Sequence, residues 1–161
     1  MSPASVSAAP PSISVDPADG SIRIQGCDLL VGAGLSKAEA LTRLSKFLHS
    51  QIDHKNGYEW LNLRGISFGG YPAGLSLCFF DGRLQELRFG AGLSDESRGK
   101  WPTRDAIDRQ VSFVLAELRK QLARPFVSSS EHFPWGIAWS AFDEKGYVAS
   151  SGLRYKGNTQ S

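Results

Sequence analysis

One five-residue word occurs twice in this chain and fixes how its elements can be joined. Gly32-Ala33-Gly34-Leu35-Ser36 and Gly90-Ala91-Gly92-Leu93-Ser94 are identical. Each follows a strand-like run and stands ahead of an amphipathic segment, so the word marks a strand-to-helix junction. Glycine permits the backbone turn that such a junction needs. The copies are unequal. Ser36 is an N-cap with Glu39 three residues on, the pattern of a capping box. After Ser94 comes a polar insert, Asp95 to Lys100, and Thr103 is the N-cap of the second helix.

Around these joints the hydrophobic periods assign the elements. Ile13, Val15, Ile22 and Ile24 alternate about Asp16-Pro17-Ala18-Asp19-Gly20 and read as a hairpin. Leu41, Leu44, Phe47, Leu48 and Ile52 fall on one helical face, which places a helix over about residues 37–52. Trp60 to Phe68 is a strand interrupted at Gly65. Leu75 to Phe79 and Arg83 to Phe89 form a hairpin around Asp81-Gly82. On the last of these, Leu84 is out of phase with Leu87 and Phe89, and a bulge near Gln85-Glu86 reconciles them. Ile107, Val111, Val114, Leu115, Leu118 and Leu122 make a core-facing helical stripe that Arg124-Pro125 ends. A loop through Glu131-His132-Phe133-Pro134 leads to a final hairpin, Ile137 to Phe142 and Tyr147 to Tyr155.

The expected order is two strands, helix, three strands, helix, two strands. The fold class is α+β: an antiparallel sheet of about six to seven strands with two amphipathic helices packed on it. Residues 1–11 read as a disordered tail, 12–156 as a single domain and 157–161 as a frayed end. The length is right for one core without staples.

Chemistry is harder to find than architecture. Gly65-Ile66-Ser67-Phe68-Gly69 fits the hydrolase nucleophile pattern, but Gly70, Tyr71 and Pro72 forbid the helix that must follow. Ser97-Arg98-Gly99-Lys100 fits a β-lactamase-type motif without its partner motifs. The glycine words lack the third glycine of a dinucleotide loop and the Gly-Lys-Ser/Thr ending of a phosphate loop. His49 and His54 are wrongly spaced for one helical face, and no Cys/His cluster indicates a metal. His54 is expected at the end of the first helix, near its negative dipole. No catalytic residue, metal or cofactor is expected. Cys27 and Cys78 read as thiols, with a single bridge left open.

The formal charge of +2 argues against a nucleic-acid binder, and no apolar run suits a membrane span. The aromatic residues near element edges are better candidates. Trp135, Phe133 and His132 in the late loop, with Tyr71 and Trp101, are the candidate partner-binding set, because aromatic side chains dominate interface energetics. Trp139 is expected to plug the core between the sheet and the second helix.

Three stretches carry a resemblance. They are Phe133-Pro134-Trp135-Gly136 through Phe142-Asp143-Glu144-Lys145-Gly146 to Leu153-Arg154-Tyr155, the hairpin Phe79-Phe80-Asp81-Gly82-Arg83-Leu84, and the capped helix from Ser36. Together they resemble small bacterial proteins of unknown function that look like toxin-neutralising immunity proteins. The likeness spans most of residues 13–155. It implies a cytoplasmic, non-enzymatic binder of one protein partner, a toxin-like effector whose surface it occludes. Immunity proteins that block nucleases are often strongly acidic. This chain is slightly basic, which points to a toxin with another target. Two other readings stay open. One is a small-molecule binder or small enzyme with a pocket between helices and sheet, using Ser67, His132 or the glycine junctions. The other is a structural subunit that self-associates through sheet edges into a homo-oligomer.

Overall fold

A computed structural model of the chain describes residues 10–91 and 103–156. Outside them lie most of the two tails, Gly92-Leu93-Ser94 of the second word, the insert with its Ser97–Lys100 motif, and Trp101. The described elements are β1 (Ile13–Val15), β2 (Ile22–Ile24), β3 (Leu30–Val31), α1 (Lys37–Arg43), β4 (Leu48–Asp53), β5 (Tyr58–Phe68), β6 (Tyr71–Phe80), β7 (Arg83–Ala91), α2 (Arg104–Leu122), β8 (Ser130–Phe133), β9 (Gly136–Asp143) and β10 (Val148–Tyr155). Seven strands form one antiparallel sheet in the order β4-β5-β6-β7-β10-β9-β8, and β1-β2-β3 form a small second sheet. The class is α+β, as the periodicity implies.

Alternation builds the core. One row of paired residues runs Gln51, Leu61, Leu77, Leu87, Leu153, Ala138, Glu131 across all seven strands. Its five apolar members are fully buried, and polar Gln51 and Glu131 close its two ends. Burying each leucine removes its apolar surface from water, about 1.5–3 kcal/mol apiece. Onto this inner face α2 brings Ile107, Val114, Leu118 and Leu122. It packs on β9 and β10, while β1 of the small sheet touches both α2 and β5. Gln121 of α2 accepts a hydrogen bond from the Val15 amide at 2.7 Å and so ties the small sheet to the helix.

The joints hold as expected at several points. Ser36 Oγ accepts from the Glu39 amide, and Thr103 Oγ1 accepts from the Ala106 amide. Asp81 and Gly82 both take positive φ at the β6–β7 turn. Cys78 pairs with Glu86 but Phe79 pairs with Leu84, so Gln85 is the extra residue of the bulge. The first glycine word joins β3 to α1 and is stitched to the β6–β7 hairpin: Gly34 N donates to Leu84 O and Lys37 N to Gly82 O. The second word starts inside β7, where Gly90 pairs with Gly74. The two copies therefore do different structural jobs.

Three expectations need correction. The helix over 37–52 does not form as one element: α1 stops at Arg43, a single 3-10 turn covers Ser45–Phe47, and Leu48–Asp53 is strand β4. Leu44 already leaves helical geometry, and the Ser50–Asp53 segment finds ladder partners in β5, a tertiary pairing that overrides a helical stripe. His54 accordingly sits beyond a strand end, where its amide donates to Tyr58 O, and meets no helix dipole. The loop through Glu131–Phe133 is strand β8, paired with β9. With the short β3, strands β4 and β8 bring the expected seven strands to ten among the described residues.

Under α2 lies one buried polar pair. Ser140 Oγ donates to Val111 O at 2.9 Å, leaving it to accept from Ser151 Oγ at 2.8 Å. Both serines are buried. Ser140→Ala deprives the Ser151 hydroxyl of its acceptor and should cost about 1–3 kcal/mol in urea unfolding. The double variant Ser140→Ala/Ser151→Ala should cost less than the sum of the two single changes.

Candidate functional site: the outer face of the large sheet

Residues that alternate with the leucine row point to the other side of the sheet. Two complete rows cross it. The first runs Ile52, Trp60, Cys78, Glu86, Arg154, Ile137, His132, and the second Ser50, Asn62, Ser76, Arg88, Gly152, Trp139, Ser130. Both rows lie opposite the face that α2 covers. Arg88, Arg154, His132 and Ile52 are exposed there, and Trp60 and Trp139 are half-buried.

The centre of this face is a carboxylate held between two arginines. Glu86 Oε2 accepts from Arg88 Nε at 2.7 Å and Oε1 accepts from Arg154 Nε at 3.0 Å. The Glu86 side chain is 12% exposed, against 45% for Arg88 and 57% for Arg154. The acid therefore lies beneath and the guanidinium groups above it. Arginine stacks on aromatic rings as well as pairing with acids. Arg88 lies 5.6 Å from the Trp60 ring and 5.9 Å from that of Trp139, and Arg154 lies 5.4 Å from Trp139. Each indole thus flanks a cation.

Neighbouring residues fix these side chains. Trp139 Nε1 donates to Ser150 Oγ at 3.0 Å. A Cβ built on Gly152 would meet Leu87 O at 2.2 Å and the Trp139 ring at 3.0 Å, so the ring lies over a position that only glycine fits. On the other flank Ser76 Oγ donates to Asn62 Oδ1 and Asn62 Nδ2 donates to Ser50 Oγ, a polar ladder over three strands. Near the β8 edge a groove of about 280 Å³ is lined by His132, Phe133, Gly136, Ile137, Arg154, Tyr155 and Lys156.

Trp139 is not a core plug. Its neighbours Ala138 and Ser140 take the inner, buried positions, and the two-residue period sends Trp139 outward. Of the candidate set, His132 lies in the first row and lines the groove. Phe133 is buried in the core. Trp135 stacks on Phe133 with ring centres 4.8 Å apart, and its Nε1 donates to Pro17 O. Trp135 also packs over Gly20, whose carbonyl accepts from the Tyr155 hydroxyl at 2.7 Å. Trp135 and Tyr155 therefore clasp the tip of the N-terminal hairpin. Tyr71 is exposed and meets Phe113 of α2 edge-on, in a separate aromatic contact. Trp60, Glu86, Arg88 and Arg154 escaped the sequence reading. Their signal was the polar phase of strands whose apolar phase had already assigned the core.

Catalytic candidates find structural uses. Ser67 Oγ donates to the carbonyls of Pro10 and Pro11, and the chain turns at Gly69-Gly70 into β6 with no helix following. Cys27 and Cys78 are both free thiols. Among the described residues, no cluster of three or more His, Cys, Asp or Glu side chains could hold a metal, and no helix is long and apolar enough to cross a membrane.

No protein-family model matches the chain, and no curated protein matches it. The fold is one that a solved toxin–immunity structure shares. A chain of the structure described as "Rhs1-CT in complex with cognate immunity protein RhsI1" is similar with a TM-score of 0.51. The likeness covers 92% of this chain and 90% of that one at 12% sequence identity, so what it shows is the fold.

The Cys78 thiol reports on this site. Burial first, then the negative charge of Glu86, pushes it up from an ordinary 9.0 to about 11, and Arg88 opposes the rise. Glu86→Gln should lower the Cys78 pKa and Arg88→Gln should raise it, read by thiolate absorbance in a Cys27→Ala background. The folded thiol holds its proton above the pH at which the unfolded one loses it. Stability from this group is therefore full below pH 9 and falls as pH rises from 9 towards about 11. Burial also raises the Tyr155 hydroxyl, which adds to the alkaline loss. Cys78→Ala should flatten part of this slope in a pH series of thermal melts.

Proposed function

We propose that this chain is a non-enzymatic protein-binding protein of the immunity type, acting in the cytoplasm to neutralise one toxin-like protein by covering its surface. The observation that carries the reading is the outer sheet face. Tryptophan and arginine are the residues that most often dominate binding energy, and here two of each stand together on a rigid sheet. Hydrogen bonds, ring contacts and the Gly152 hole hold them in place before any partner arrives, which limits the ordering cost of association. The shared fold with a chain of a toxin–immunity complex and the sequence resemblance support the same reading. In this proposal the contact surface runs from Trp60 through Arg88 and Trp139 to His132. Phe133 lines the groove at its β8 end with Trp135 stacked on it, while Tyr71, set against Phe113 of α2 on the helix side of the sheet, is a candidate outside this surface, and Trp101 is a further candidate.

The test is capture followed by protection. A tagged chain is recovered from its source cells with its stoichiometric partner, and the partner is then expressed with and without the chain. Restored growth supports the proposal. A captured partner that is harmless when expressed alone sinks it. Trp60→Ala and Trp139→Ala should each weaken binding to the captured partner by roughly tenfold or more in calorimetry, while the far-UV spectrum is unchanged.

A further inference from the structure

The charge arrangement on the outer face specifies the chemistry of its partner. In the two rows the basic residues are Arg88, Arg154 and His132, and the acidic residue is Glu86. Glu86 has both carboxylate oxygens engaged and is the least exposed member of the trio. Both contacts use Nε, and both guanidinium side chains are far more exposed than the acid that holds them. An arriving surface meets the arginines, not the acid.

We propose that this face receives an acidic protein surface, whose carboxylates bond the terminal nitrogens of Arg88 and Arg154 between the Trp60 and Trp139 rings. Guanidinium groups match carboxylates in planar, two-point geometry. Glu86 serves as a positioning residue that aims both guanidinium groups and keeps the trio at a net charge of +1. The adjoining groove gives the partner an apolar foothold beside Arg154, with His132 and Lys156 on its rim. Nucleic acid is a poorer match. Tracking a phosphate backbone takes a run of cations, commonly about six or more contacts, and the rows supply two arginines and a histidine. The indoles are also already engaged with guanidinium groups, which leaves less ring face for stacked bases.

This proposal rests on the protein-binding reading above, and its test separates the two. A random-peptide display library is selected on the immobilised full chain, and the recovered peptides are measured by fluorescence anisotropy. Peptides rich in Asp and Glu are expected. Their affinity should fall about tenfold with Arg88→Gln or Arg154→Gln, fall less with Arg88→Lys, and weaken as salt rises. Thermal melts confirm that each variant is folded.

Recovered peptides without acidic bias overturn the proposal. So does acidic-peptide binding that is indifferent to both glutamine variants, a selection that returns no binder, or displacement of the peptide by an oligothymidylate that binds more tightly. If the captured partner is neutralised equally well by folded Arg88→Gln and Arg154→Gln variants, the immunity role stands and the acidic contact falls. If acidic peptides bind at Arg88 and Arg154 but no captured partner is toxic, the contact stands and the immunity role falls.

Discussion

Much of the outer face depends on one extra residue, Gln85. Period-two alternation is strict, and a strand with Leu84, Leu87 and Phe89 all apolar cannot bury them together without an interruption. The bulge resolves the conflict by giving two residues of β7 one partner step on β6. Leu84 then faces inward with Leu87 and Phe89, all buried. The same shift sends Glu86 and Arg88 outward together, in register with Arg154 and Gly152 of β10. Packing the core and assembling the charged trio are thus one solution. A regular β7 would put either Leu84 in water or Leu87 and Phe89 there, at a loss of about 1.5–3 kcal/mol for each apolar side chain exposed.

The trio also explains how a charged cluster stays on a face so near the core. Surface ion pairs usually contribute little, because holding long side chains still costs entropy. Here Arg88 is confined by two indoles and a carboxylate, and Trp139 is confined by Ser150 and the empty place above Gly152. The gain is rigidity more than stability. Cys78, one strand over and in the same row as Glu86, has its thiol raised first by burial and then by the Glu86 charge.

Local signals in the sequence were dependable where a single residue type has one structural use. Ser36 and Thr103 cap helices, Asp81-Gly82 turns a hairpin, and the phase conflict at Leu84 located the bulge. Signals failed where tertiary pairing decides. Leu48 to Ile52 has a helical stripe, yet becomes β4 because β5 offers an open edge. Glu131–Phe133 has no alternating pattern, yet becomes β8 because β9 has one too. The site was legible in principle but spread over β5, β7, β9 and β10. Trp60, Arg88, Trp139 and Arg154 are far apart in the chain, and only the strand order brings them into two adjacent rows. Aromatic density in one loop was a louder signal, and part of it turned out to be the clasp on the N-terminal hairpin.

That clasp has a consequence for how the chain matures as it is made. The Tyr155 hydroxyl reaches back 135 residues to Gly20, and Trp135 reaches Pro17 across 118. This hairpin therefore leaves the ribosome more than a hundred residues before its anchoring partners do. Until they emerge, Ile13, Val15, Ile22 and Ile24 have no complete core to enter. Contacts of such wide sequence separation slow folding and prolong the exposure of apolar strand edges. The nascent chain carries this hydrophobic hairpin unsecured while the intervening stretch is made, and the clasp on it closes only afterwards.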